Sequence, residues 1–132
     1  EGNSFMISFN KNSVWNLSPI DVNSVRSEVT GLLIRGEEIV AAFKTIRDQL
    51  IFTNERIISI DVQGLTGKKK SFTSMPYSKV QFFAIQTPGF AELIPDSELV
   101  LTFSNGYVAT FEFKGKVDIG RIGREISEYV LK

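Results

Sequence analysis

Between Glu38 and Phe113 the chain alternates apolar and polar residues in short runs, and most runs end in residues that turn a chain sharply. A period of two is the signature of strands that bury one face. Ile39, Ala41 and Phe43 share a phase, Leu50 and Phe52 carry the next run, and Ile58, Ile60 and Val62 the one after. Phe72 and Met75 fall in a fourth run ended by Pro76. Leu99, Leu101 and Phe103 alternate cleanly, and Tyr107, Ala109, Phe111 and Phe113 carry the return. The punctuation is Arg47-Asp48, Asn54-Glu55, the loop bracketed by Gly64 and Gly67, and Asn105-Gly106. Asn-Gly between two alternating runs is the strongest short hairpin signal, because both residues accept positive φ. Residues 79–87 differ: Val80, Phe82 and Ala84 are set against Phe83 and Ile85, so both faces are apolar. Such a strand is either covered on both sides or lies at an interface.

Two segments change period. Val22, Val25, Val29 and Leu32 fall near one helical face after Asp21, a good N-cap, and Gly36 is a stop signal, so a helix is expected over 21–34. Gly31 and the β-branched residues lower its propensity, and it needs tertiary support. Near the end, Asp118 is an N-cap candidate, and Val117 and Ile122 have the spacing of a hydrophobic staple. Ile119, Ile122, Ile126, Tyr129 and Val130 make an apolar stripe over 118–131. Residues 1–20 read as an arm with weak structure, in which Phe5, Ile7 and Phe9 could form one short strand; Glu1 to Phe5 read as a remnant ahead of a native start at Met6. The expected fold is mostly β. It is one domain over 21–132: an extra N-terminal helix, about seven antiparallel strands over 38–114 curled into a barrel, and a C-terminal helix that caps it.

The composition excludes chemistry more than it suggests any. With no cysteine there is no thiolate nucleophile, disulfide or Cys-ligated metal, and with no histidine the usual general base and metal ligand are missing together. No nucleophile motif appears, and no enzymatic activity or cofactor is expected. Lys plus Arg and Asp plus Glu both number 15. That balance argues against steering toward nucleic acid or an anionic membrane, and it leaves little repulsion between copies. No apolar run approaches the ~20 residues of a membrane span. No secretory leader is recognisable, so the default compartment is the cytoplasm.

Several stretches resemble the bacterial pleckstrin-homology-like domain family. They are Leu32-Leu33-Ile34-Arg35-Gly36-Glu37-Glu38, Ala42-Phe43-Lys44-Thr45-Ile46-Arg47-Asp48 and Phe52-Thr53-Asn54-Glu55-Arg56-Ile57-Ile58. Asp61-Val62-Gln63-Gly64-Leu65-Thr66-Gly67-Lys68-Lys69 and Met75-Pro76-Tyr77 complete the set. The resemblance runs from about Asp21 to Leu131. It implies a seven-stranded barrel capped by the C-terminal helix, no known catalysis, and members that assemble into ring-shaped homo-oligomers. It implies no particular ligand.

Candidate sites follow from exposed chemistry. Phe83 and Ile85 on the two-sided strand, with Phe90, Leu93 and Ile94 in the loop after Pro88-Gly89, are candidates for a contact with a second copy or a protein partner. The competing reading folds that loop onto the core and lets the N-terminal helix cover the strand. Lys68, Lys69 and Lys70 form the only basic run. It is either an anion site for a phosphate or lipid headgroup, or a solvated turn whose lysines protect a strand edge. Peptide capture by strand addition is a further alternative. Contact with nucleic acid or a membrane is not otherwise expected. Asp96 and Glu98 alone do not make a metal site, and Gly120-Arg121-Ile122-Gly123 lacks the spacing of a phosphate loop.

Overall fold

The structure, a computed structural model, describes residues 11–87 and 94–132. Eight strands lie among the described residues. The chain divides into two compact units, residues 18–77 and residues through Leu17 joined by 78–132. The fold is mostly β with a C-terminal helix, as the alternation implies.

In the first unit β2 (Ile39–Lys44), β3 (Gln49–Thr53), β4 (Arg56–Gln63) and β5 (Lys69–Pro76) form an antiparallel meander. Ile51 opposes Ile58 and Ile60 opposes Phe72, so these residues share one face. On that face Val29, Ala42, Ile51, Ile58 and Ile60 form a buried cluster, with Ile20, Val25, Leu33 and Ile39 packed around it. Each such aliphatic side chain contributes about 1.5–3 kcal/mol when buried. The opposite face carries Phe43, Leu50, Phe52, Ile57 and Met75, all buried, with Phe43 and Phe52 edge to face at 5.7 Å between centroids.

The helix expected over 21–34 is not formed. In its place are a 3-10 turn, Val22–Ser24, and one four-residue helix, α1 (Ser27–Thr30). Asp21 does cap, accepting from the Asn23 N–H, but the chain leaves the helical region at Val25 and Arg26, where ψ is 142° and 139°. Its backbone groups find partners on the sheet instead: the Arg26 N–H donates to Gln49 Oε1 at 3.0 Å. A run of valines ending in Gly31 has too little helical propensity to resist that alternative. Burying Val29 against Ile58 and Ile60 needs one turn, not four.

In the second unit β6 (Val80–Gln86), β7 (Ile94–Phe103) and β8 (Val108–Val117) are antiparallel. Asn105-Gly106 closes the β7–β8 hairpin, with Gly106 at φ 88° and the Tyr107 N–H donating to Asn105 Oδ1. The expected count of strands is one short, and not all pairs are antiparallel. The arm contains β1 (Lys11–Pro19), which runs parallel to β8 from Lys11–Val108 to Leu17–Phe113. Its last residues, Ser18 and Pro19, pair antiparallel with β2 in the first unit. The Asn and Ser residues of this stretch hid it, and Leu17, its apolar anchor, is fully buried. The expected strand at Phe5, Ile7 and Phe9 lies outside the described residues.

The C-terminal helix forms as expected: α2 (Ile119–Val130) is capped by Asp118, whose Oδ1 accepts from the Arg121 N–H at 3.1 Å. Its buried stripe is Ile119, Ile122, Gly123 and Ile126, and it packs on β6 and β7. Asp96 and Ser97 mark a register shift in β7, where Asp96 takes φ 59° and accepts from the Gly115 N–H.

One polar cluster ties the first unit together. The Glu37 side chain is fully buried, and Arg56, with 19% of its side chain exposed, donates to it from Nε at 2.9 Å and from Nη2 at 3.0 Å. The Thr53 hydroxyl and the Ile34 N–H also donate to Glu37. Arg56 then reaches the Leu32 carbonyl at 2.7 Å and the Ser74 hydroxyl at 3.0 Å. The loop after α1 is thereby pinned to the β3–β4 turn and to β5. Burial alone would raise the Glu37 pKa, but the hydrogen bonds from Arg56, Thr53 and Ile34, with the Arg56 charge, hold it below the ordinary 4.5. A depressed carboxylate stabilises the fold above its unfolded pKa, and that stabilisation is lost as pH falls through the folded value. Glu37→Gln should therefore lower stability at neutral pH by about 3 kcal/mol, the low end for a broken buried pair because Arg56 keeps access to water. The gap to wild type in chemical denaturation should narrow below pH 4.5. A gap independent of pH would show that ionised Glu37 is not the source.

Candidate functional site

The candidate site begins with register. Val80 pairs with Phe103, yet Phe82 pairs with Thr102, so Gln81 is an extra residue in β6. A one-residue slip exchanges the two faces of a strand. Phe83 and Ile85 are thereby placed opposite Leu101 and Leu99, which are fully buried, while Phe82 and Ala84 oppose Thr102 and Val100 on the other face. Phe83 is half-buried and Ile85 keeps 37% of its surface exposed. Phe82 is 61% exposed. β6 pairs with β7 alone, so among the described residues its outer backbone N–H and C=O groups form an open edge.

Ile85 is held by the helix. A Cβ at Gly123 of α2 would fall 2.5 Å from Ile85 Cδ1, so the missing side chain is what admits the isoleucine between β6 and the helix.

The second candidate region is the turn end of the first unit. Gly64 and Gly67 take φ 79° and 70°, which any other residue type would adopt only with strain. They close a short loop between β4 and β5, and Arg47 of the β2–β3 turn donates to the Gly64 carbonyl at 2.6 Å. Asp48 accepts from the Val62 N–H at 2.9 Å, which joins the two connections a second time. Lys68 and Lys69 are exposed at this end, whereas Lys70 is half-buried with its ammonium 3.6 Å from Glu28. The lysine run is thus split: two exposed cations and one that meets the carboxylate of α1.

Of the residues singled out in the sequence, Phe83 and Ile85 share the face of β6 that opposes Leu101 and Leu99, and Ile85 meets α2 at Gly123. Ile94 opens β7, and Phe90 and Leu93 lie outside the described residues. Val80 is expected on the face of Phe82 and Ala84, but the extra residue at Gln81 puts it on the face of Phe83 and Ile85, and nothing in a sequence announces a bulge there. Ile46 and Leu65, aliphatic residues inside turns, also went unremarked. Both are fully exposed, and apolar residues in two-residue and Gly-bounded turns were the signal. Among the described residues no helix is long and apolar enough to cross a membrane. No group of three or more carboxylates, the metal-ligating residue type this chain has, is gathered there.

The Gly123–Ile85 contact should be visible energetically. Gly123→Ala adds helix propensity of about 1 kcal/mol but displaces Ile85, so the net change in wild type should be near zero. In an Ile85→Ala background the same substitution should stabilise by about 1 kcal/mol. Equal effects in the two backgrounds by urea denaturation would mean that the contact is absent.

Comparison with known proteins agrees with this architecture. The model of the bacterial PH domain family matches residues 8–130, which extends the likeness into the arm and β1. The chain is 38% identical over 103 residues to the uncharacterized protein YjqA of Bacillus subtilis, covering 78% of this chain and 81% of that one. A solved pleckstrin-homology-domain protein from Shewanella loihica superposes with a TM-score of 0.74 at 31% identity, over 89% of this chain and 99% of that one. The pleckstrin homology domain from Shewanella amazonensis gives 0.63 at 35% identity, over 86% and 90%. The arrangement of strands, the capped helix and the matched length together make this chain a member of the bacterial PH domain family.

Proposed function

We propose that this domain is a non-catalytic self-association module that uses β6 as its contact strand. The observation that carries the reading is the contrast between the two edge strands. β5 presents Lys69 and Lys70 and ends in Pro76, the residue types that discourage pairing with another chain. β6 reads Val-Gln-Phe-Phe-Ala-Ile-Gln, with no charge, no proline, and Phe82 turned outward. An edge of that composition is a template for another strand.

A second copy is the occupant that the charge balance favours. Equal numbers of acidic and basic residues leave no net repulsion between copies, and two uncharged strands meet without burying unpaired charge. Pairing of β6 with β6 closes as a two-fold dimer, while β6 against a different surface builds a ring or an open chain. The solution mass separates these arrangements.

Light scattering after size exclusion should give a fixed multiple of 14.8 kDa across a range of concentrations. Phe82→Asp should shift the mass toward the monomer while circular dichroism remains that of the folded domain, because Phe82 contributes little to the core. A monomer at every concentration, or a multimer that Phe82→Asp leaves intact, would remove the proposal.

A further inference from the structure

β6 carries apolar side chains on both faces, and one extra residue decides which of them turn inward. The start of the strand is pinned. Val80 pairs with Phe103, and the Lys79 carbonyl accepts from the Ser104 N–H at 2.9 Å and from the Ser104 hydroxyl at 3.0 Å. Beyond Gln81 the pairs are Phe82 with Thr102, Phe83 with Leu101, Ala84 with Val100, Ile85 with Leu99 and Gln86 with Glu98. Drawing Gln81 into the ladder would move each residue by one partner. Phe82 would then oppose Leu101, Phe83 would oppose Val100, and Ala84 would oppose Leu99. Ile85 would oppose Glu98, and Gln86 would oppose Ser97.

The two sets of pairs are closely matched. Opposite Leu101, one phenylalanine replaces another. Opposite Leu99, alanine replaces isoleucine, which costs apolar burial. That cost is reduced here, because Ile85 is already 37% exposed. Two features act in the other direction. The bulge interrupts the ladder at Gln81, and the shift restores it. Ser97 is fully buried, and its hydroxyl has no hydrogen-bond partner among the described residues. A buried hydroxyl left unpaired is costly, and the shift brings the Gln86 amide opposite it on the inward face.

We propose that β6 exchanges between two registers. The first is the one described, with Gln81 bulged and Phe83 and Ile85 inward. The second is less populated, with Gln81 in the ladder, Phe82 and Ala84 inward, and Gln86 bonded to the Ser97 hydroxyl. In the second, Ile85 leaves its place against Gly123 of α2, and Phe83 and Ile85 join the outer face. The outer surface of β6 and the seat of the helix are therefore set by one equilibrium. A contact that covers Phe82 favours the first register, and one that covers Phe83 and Ile85 favours the second and loosens α2. The exchange belongs to a single copy, so it is separable from self-association.

Amide and methyl relaxation dispersion on the full chain reads this exchange. The amides from Phe82 to Gln86 and the methyl groups of Ile85, Leu99 and Leu101 should share one rate and one minor population. That population should be about 1–10% and independent of protein concentration. Gly123→Ala should raise it at least about fivefold, because the added methyl group excludes Ile85. Ser97→Ala should lower it about fivefold, by removing the bond that Gln86 gains. Phe82→Ser should abolish the exchange and keep the wild-type melting temperature, since Phe82 is exposed in the first register. Ala84→Cys with Val100→Cys, opposed in the first register, has the spacing of a disulfide, and no other cysteine competes. Its oxidation should stop the exchange. The proposal is overturned by flat dispersion in both the wild type and Gly123→Ala, by exchange that Ser97→Ala and Phe82→Ser leave unchanged, or by exchange that survives the disulfide. Exchange that grows with protein concentration would also overturn it, and would assign the signal to association between copies.

Discussion

The extra residue at Gln81 decides what β6 does. Without it, Phe82 would follow Val80 in phase and face Leu101, and Phe83 would point outward. With it, Phe83 and Ile85 join the face of Leu99 and Leu101, and Ile85 enters the space that Gly123 leaves open on α2. The docking of the helix on β6 and the exposure of Phe82 are consequences of the same slip. A strand that keeps its hydrogen bonds to β7 while changing phase once can supply the core from one end to the other and still leave a large aromatic ring in water.

The two edge strands show how a sheet manages unpaired backbone. β5 carries cations and a proline, and one of its lysines is spent on Glu28 of α1. β6 carries none of these. If both edges were equally protected, a solitary domain would be the simplest account. The asymmetry is the feature on which the proposed contact at β6 rests.

Much of this fold could be read from residues. Asp118 with the stripe Ile119, Ile122 and Ile126 identified the C-terminal helix. Asn105-Gly106 identified the β7–β8 hairpin, where Gly106 takes the positive φ of 88° that the turn requires. Phe52-Thr53-Asn54-Glu55-Arg56 carried the family resemblance, and the structure supplies a physical reason: Thr53 and Arg56 converge on buried Glu37. The failures share a cause, which is non-local partnering. β1 has a sequence rich in Asn and Ser, and it becomes a strand because β8 offers it hydrogen bonds. The segment 21–34 has helical spacing, but its backbone is claimed by Gln49 and its valines are satisfied by a single turn. The bulge in β6 separated Val80 from the face of Phe82 and Ala84, with which its spacing placed it. Period, cap and turn chemistry are local and legible, whereas register and competition for backbone groups depend on strands far away in sequence.

The central claim, that the open edge of β6 meets another copy, is most directly tested by amide hydrogen exchange followed residue by residue against protein concentration. Along an edge strand every second amide points to water and exchanges fast. The account requires those amides between Val80 and Gln86 to become protected as concentration rises, while the outward amides of β5 between Lys69 and Met75 do not. Fast exchange in β6 at every concentration, or protection that rises equally in both edge strands, would contradict it.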